Sequence, residues 1–300
     1  MKKYVKDLRV KAVERLHERY VLLRLSGDEG LPEMRPGQFV EVRVDDAPHT
    51  FLRRPISICF VDREADELWL LVACVGEGTR RLALLREGDR LNCMLPLGNG
   101  WSLGDGPSAT GEGRRRLLVG GGVGVAPLLF LGAELRRQGA DVTFLLGARS
   151  ARDLLLLETF ERYGRVLVTT EDGSRGERGF VTQHSVLGRE RFDMIQCCGP
   201  TPMMKAVARY ARQSATPCEV SLENLMACGL GACLCCVEKT YLSGNAAQHR
   251  TGGGGSPLPE GGGSPLPEGE ADGSGMRTTG NVCVCKEGPV FNIERLLWQD

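Results

Sequence analysis

Through the first hundred positions, short apolar runs alternate with turn residues. The runs at 20–25, 38–44, 56–61, 68–75 and 90–95 are of strand length. One short helical stretch, 79–85, interrupts them. This rhythm predicts a small antiparallel barrel over residues 1–103. Residues 104–113 are all small, polar or turn-forming and read as a linker. The period then changes to strand 116–119, helix 127–138, strand 141–147, helix 153–163 and strand 166–170, followed by strand 194–197 and helix 202–213. Such alternation predicts a parallel α/β sheet over 114–215. A cysteine-rich segment, 216–300, completes the chain, so the expected fold is multidomain, all-β followed by α/β and a small C-terminal domain.

Within that last segment lies a low-complexity insert, 244–280, containing a tandem repeat: GGGSPLPE at 253–260 and again at 261–268. Gly, Pro and Ser at this density bury no core, so the expectation is a mobile surface loop. Its length weakens whatever its ends hold together only slightly, because loop closure costs about 0.6 kcal/mol per doubling.

Composition bounds the function. The 300 residues are 42% hydrophobic and 25% charged, ordinary for a globular protein of two or three domains. Thirty-eight Lys and Arg balance 38 Asp and Glu, leaving no net positive field to attract nucleic acid or anionic lipid. Leu117 to Leu135 is uncharged before Glu134, but its five glycines and Pro127 break it into strand, turn and helix, so no membrane span is expected. Twelve cysteines without a secretory leader point to a reducing cytoplasm.

Four of those cysteines carry chemistry. Cys228, Cys233 and Cys236 stand in C-x4-C-x2-C spacing with a distant Cys285, the plant-type 2Fe-2S arrangement. Gly229, Gly231 and Ala232 allow a tight loop whose backbone N–H groups point at sulfur. Structural zinc is the competing reading, although zinc sites usually pair their ligands as two C-x2-C knuckles and only Cys233 and Cys236 form one here. Cys235 and Cys283 are near enough to stand in for a ligand and are read as bystanders. Cys59, Cys74, Cys93, Cys197 and Cys218 lie in apolar runs, where packing is the default.

Two turns in the α/β region suit a nucleotide. Gly120, Gly121, Gly122 and Gly124 follow a strand and open a helix, where N–H groups and the helix dipole hold a pyrophosphate. Cys198, Gly199 and Pro200 form a second turn at the same sheet edge. In the barrel, Arg54-Pro55-Ile56-Ser57 offers a guanidinium and a hydroxyl, and Gly78-Thr79 a further anion-binding turn. Arg149 and Arg152 could meet a 2′-phosphate or be simply solvated. The four histidines show no metal or catalytic spacing.

In order, the motifs RRPISI, GEGT, PLGNG, GGGVGVAP, TEDGSRGERGFVT, CGPTPMMKAV, CGLGACLCC and CKEGPVF resemble the ferredoxin reductase superfamily, and within it the electron transfer subunits of B-type dihydroorotate dehydrogenases. The resemblance implies that Arg54 holds the pyrophosphate of FAD, Ser57 bonds the reactive edge of the isoalloxazine and acts in catalysis, and Gly78-Thr79 cradles phosphate. It also implies flavin contact at Leu71, Val72 and Ala73, which depart from the aromatic and basic residues usual there. NAD is expected on the glycine turns, and the 2Fe-2S ligands map onto Cys228, Cys233, Cys236 and Cys285. The implied partner is an FMN-containing dihydroorotate dehydrogenase catalytic subunit, two of each chain, serving pyrimidine biosynthesis.

The parts imply a mechanism on their own terms. A nicotinamide takes an electron pair as hydride whereas a 2Fe-2S cluster carries one electron, so a flavin must mediate. Two alternatives remain: an NAD(P)H-dependent ferredoxin or sulfide oxidoreductase subunit, and a non-enzymatic, zinc-stapled interaction protein.

Overall fold

The computed structural model describes residues 2–104, 114–241 and 279–298. The low-complexity insert up to residue 278, including its repeat, lies outside the described residues, and so does most of the 104–113 linker; the last two insert positions, 279 and 280, are described and open a strand.

Six strands close the expected barrel: β1 (Tyr4–His17), β2 (Tyr20–Ser26), β3 (Phe39–Val42), β4 (Arg54–Asp62), β5 (Glu67–Ala73) and β6 (Arg90–Leu97). They run in the order β1-β2-β5-β4-β3-β6, with every pairing antiparallel. Alternate residues, among them Val40, Val42, Ile58, Leu70, Val72, Leu91 and Cys93, fill its interior. Strand β1 is absent from the hydrophobic pattern because Lys and Arg occupy its alternate positions. Register shifts at Val10/Ala12 and Arg15/His17 also break the period of two. The expected helix at 79–85 is α1 (Glu77–Leu82).

The second layer is a seven-stranded sheet built from β7 (Arg115–Gly121), β8 (Asp141–Ala148), β9 (Arg165–Thr170), β10 (Glu177–Arg178), β11 (Met194–Cys198), β12 (Cys218–Ser221) and β15 (Val290–Asn292), in the order β10-β9-β8-β7-β11-β12-β15. All neighbours are parallel except β12 and β15. Residues beyond 216 therefore supply two strands of the nucleotide sheet as well as the cysteine segment. Helices α2 (Ala126–Arg137) and α5 (Thr201–Gln213) match the pattern. The helix read at 153–163 shrinks to α3 (Leu157–Glu161), because Leu156 adopts φ +56° and Leu155 turns into the core. A short α4 (Val186–Arg189), the hairpin of β13 (Val237–Tyr241) with β14 (Thr279–Cys283), and α6 (Val284–Glu287) complete the chain.

Helix α2 is apolar on nearly every side because it is clamped between sheet and barrel. A Cβ on Gly132 would stand 2.2 Å from Phe144 Cζ, so only glycine lets the helix approach the sheet. On its barrel side, Phe130 joins the barrel core beside Phe60, and Glu134 is bonded by Arg63 of the barrel and by Arg137. This packing fixes how barrel and sheet face each other. Among the described residues no helix is long and apolar enough to cross a membrane.

Candidate functional site

Where barrel and sheet meet, a cleft of about 250 Å³ opens between β4, β5, the start of α2 and residues 221–226. Pro55, Ile56, Ser57, Leu71, Ala73 and Thr79 form its barrel wall, and Val123 and Ala126 its sheet wall. Ser57 sits directly opposite Phe39 in the β3–β4 ladder, which fixes its place on that wall. Val72 points the other way, fully buried inside the barrel between two residues that line the cleft.

Arg54 and Gly78 are brought together beside the cleft: a Cβ on Gly78 would lie 3.1 Å from Arg54 Nε. Among the described residues, Arg54 donates to the backbone carbonyls of Leu52 and Arg53. Its neighbour Arg53 is spent on structure, bonding Asn92 and the carbonyl of Glu41. The Thr79 hydroxyl accepts from the N–H groups of Val75 and Gly76, which tightens the α1 turn.

The two glycine turns abut backbone to backbone. A Cβ on Gly124 would lie 2.5 Å from Gly199 Cα and 2.7 Å from Cys198 O, while one on Gly121 would strike Met203 Sδ at 2.5 Å. A Cβ on Gly120 would crowd Val125 and Leu128, so these glycines are demanded by close packing. Gly122 differs, with φ +57° and open space beyond it. Pro200 caps α5, and Met204 N–H bonds its carbonyl. The ends of β7 and β11 thus present adjacent turns and two helix N-termini, packed tightly at Gly120, Gly121 and Gly124 and opening to free space at Gly122.

Two acidic residues that the pattern did not flag border these features. Glu223 lines the cleft and meets Cys198 Sγ at 3.8 Å, and desolvation raises its carboxyl above the ordinary carboxylate range. Burial likewise raises the Cys198 thiol well above its ordinary value. Glu41 is completely buried on β3, and desolvation pushes it up to about 7 against the pull of Arg53. Glu223 follows β12, a strand absent from the pattern, and Glu41 lies in Phe-Val-Glu-Val, where alternation reads as a solvent face.

Residues 221–226 line the cleft, and two positions further on the chain reaches Cys228. Gly229 (φ +66°) and Gly231 (φ +83°) turn the loop left-handed. A Cβ on either would press on Glu41 or Lys286. Within the loop the cysteines are brought together two by two. Cys233 bonds Cys228 through its thiol and Cys285 bonds Cys236, with the Cys285 N–H 3.3 Å from Cys236 Sγ. Burial raises the Cys228 thiol, but the N–H groups of Leu230, Cys233 and Ala232, with the Cys233 thiol, outweigh it and bring Cys228 down to about 6. Burial and Cys236 push Cys285 up to about 12. Cys235 and Cys283 instead face backbone carbonyls, those of Leu225 and Gly231. Among the described residues no three His, Cys, Asp or Glu side chains gather tightly enough for a single metal ion. Two thiol pairs with N–H groups aimed at sulfur suit a two-iron cluster, which the four thiols would hold.

Residues 118–209 match the family of oxidoreductase NAD-binding domains. The dihydroorotate dehydrogenase B (NAD(+)) electron transfer subunit of Bacillus velezensis (strain DSM 23117 / BGSC 10A6 / LMG 26770 / FZB42) is 36% identical over 290 residues, covering 96% of this chain and 97% of the relative. This chain belongs to that family of electron transfer subunits. The subunit from Shouchella clausii (strain KSM-K16) is 42% identical over 229 residues, 76% of this chain and 85% of the relative. Among solved structures, the NADH-dependent reduced ferredoxin-NADP oxidoreductase studied for flavin-based electron bifurcation superposes with TM-score 0.73 at 29% identity, covering 97% of this chain and 90% of that one. The ferredoxin reductase of carbazole 1,9a-dioxygenase shares the fold, with TM-score 0.59 at 21% identity over 72% of this chain and 68% of that one. Family membership makes the chain an NAD-linked oxidoreductase subunit and sets aside the zinc-stapled reading.

Proposed function

We propose that this chain conducts electrons from a partner subunit to NAD(+) by way of a 2Fe-2S cluster and FAD. The reading is carried by one observation: residues 221–226 form a wall of the cleft and continue directly into Cys228. Cluster and flavin would therefore be neighbours on a single stretch of chain.

When bound, the flavin supplies the step between single electrons at the cluster and a hydride at the nicotinamide. The chain's own residues bind and orient. Arg54, which donates to backbone carbonyls among the described residues, would hold the FAD pyrophosphate, with Gly78 and Thr79 beneath it. Pro55, Ile56, Leu71 and Ala73 would exclude water from the ring system, with Val72 contributing through its backbone alone. Ser57 would present its hydroxyl to the ring edge as the catalytic residue. Gly120, Gly121, Gly122 and Gly124, with Cys198, Gly199 and Pro200, would receive the NAD pyrophosphate. Cys228, Cys233, Cys236 and Cys285 would hold the cluster, with Cys235 and Cys283 left out of it.

The relatives' printed name, an electron transfer subunit, requires a catalytic partner. We assign that role to an FMN-containing subunit oxidising dihydroorotate, assembled as two of each chain in the cytoplasm. The superposition on a ferredoxin-NADP oxidoreductase supports a second reading, in which ferredoxin is the electron partner.

The direct test is the chain purified without oxygen and assayed for iron, acid-labile sulfide, FAD and zinc. Two irons and two sulfides per chain with one FAD, and a visible spectrum bleached by NADH, are expected for a single 2Fe-2S cluster beside a flavin. Zinc without sulfide would overturn the reading.

A further inference from the structure

Glu41 lies in the middle of β3, fully buried, and neither of its carboxyl oxygens has a hydrogen-bond partner among the described residues. Its neighbours Val40 and Val42 point into the barrel, so Glu41 points outward. Outward here is against the cysteine loop. A Cβ on Gly229 would lie 2.7 Å from Glu41 Cγ and 3.0 Å from Oε1, and Gly229 directly follows Cys228. On the other side, the ladder sets Glu41 opposite Pro55, two residues from Ser57. The carboxyl therefore occupies the wall between the thiol pairs and the cleft.

Packing alone does not account for an acid there. A buried carboxyl without a partner lowers stability, and an apolar side chain of the same length would fill the space at no such cost. Arg53 lies alongside, with Nη1 on the Glu41 carbonyl at 3.1 Å, so positive charge is at hand to balance an ionised carboxyl.

We propose that Glu41 is a positioning residue for the cluster, its buried negative charge setting the cluster's reduction potential relative to the flavin's. The inference rests on the cluster reading above. An electron added to the cluster would break no bond, but it would increase the negative charge beside a carboxylate shielded from water. That interaction favours the oxidised cluster and holds its potential low, so an electron leaves readily towards the cleft.

The test is a dye-mediated redox titration of the cluster followed by electron paramagnetic resonance, in alkaline buffer so that the carboxyl is ionised. Glu41→Gln keeps the shape and removes the charge, and its midpoint potential is expected to shift upward at unchanged iron and sulfide content. Glu41→Asp keeps the charge and is expected near the wild-type value. Should Glu41→Gln lose iron, Glu41→Met supplies the same comparison and the same upward shift is expected. A full cluster with an unmoved potential in the uncharged variant would overturn the proposal, as would equal shifts in the Asp and Gln variants. A wild-type chain holding neither iron nor sulfide would instead bring down the cluster reading, and this inference with it.

Discussion

At the residue scale, each side chain near the cleft has a separable job. Cys228, drawn down to about 6 by three backbone donors and one thiol, is prepared to bind metal as thiolate. Cys228→Ala is expected to lose the cluster while FAD remains, checked by iron, sulfide and flavin content of the purified variant. Full iron and sulfide would refute its role as ligand. Ser57 is partly exposed on the cleft wall and is not one of the barrel-core residues. Ser57→Ala is therefore expected to leave FAD bound while slowing flavin reduction by NADH about tenfold in stopped flow, the scale of one lost hydrogen bond to a reacting group. An unchanged rate would remove Ser57 from the ring edge.

At the element scale, the paired turns and the α2 clamp give the most decisive tests. Gly124→Ala would force a Cβ to within 2.5 Å of Gly199 Cα, and backbone on both sides leaves nothing to yield. Its expected outcome is a loss of ~1–3 kcal/mol in stability and a weaker NADH affinity by calorimetry, with flavin content spared. Glu134 joins α2 to the barrel; burial alone would raise its carboxyl, but Arg137 and Arg63 hold it below the usual range. Because the folded form is depressed, this stabilisation is complete above the unfolded carboxylate pKa and is lost as pH falls through the folded one. Glu134→Gln should therefore lower the denaturation midpoint at neutral pH, by about 1–3 kcal/mol, and the difference from wild type should vanish in acid.

Much of this architecture is legible in the pattern because barrel and sheet interiors enforce simple periods. Strands β2 to β6, β7 to β9 and β11, with helices α2 and α5, stand close to where alternation puts them. What escapes it is decided by distant contacts. Strand β1 hides behind alternating basic residues and two register shifts, while β12 and β15 are short strands recognised only by the sheet edge they complete. The same holds for the site. Motif residues such as Arg54, Ser57, Gly124 and Cys228 are visible in sequence, whereas Glu41 and Glu223 acquire meaning only when the cysteine loop and cleft close over them.

At the scale of the whole molecule, the barrel wall, the glycine turns and the cysteine loop gather around one cleft, and on the proposed reading each would bind one redox group. Neither the sheet nor the barrel encloses the cleft alone, and residues 221–226 tie it to the loop. On the proposed reading, electrons would enter at the cysteine end and leave at the glycine turns, or the reverse. The most direct test mixes the chain anaerobically with an FMN-containing dihydroorotate-oxidising subunit and follows the visible spectrum on adding dihydroorotate, then NAD(+). The account predicts bleaching of flavin and cluster bands by dihydroorotate, followed by their return as NADH forms. Bleaching by NADH but not by dihydroorotate through that partner would contradict it and shift the electron source to the ferredoxin class.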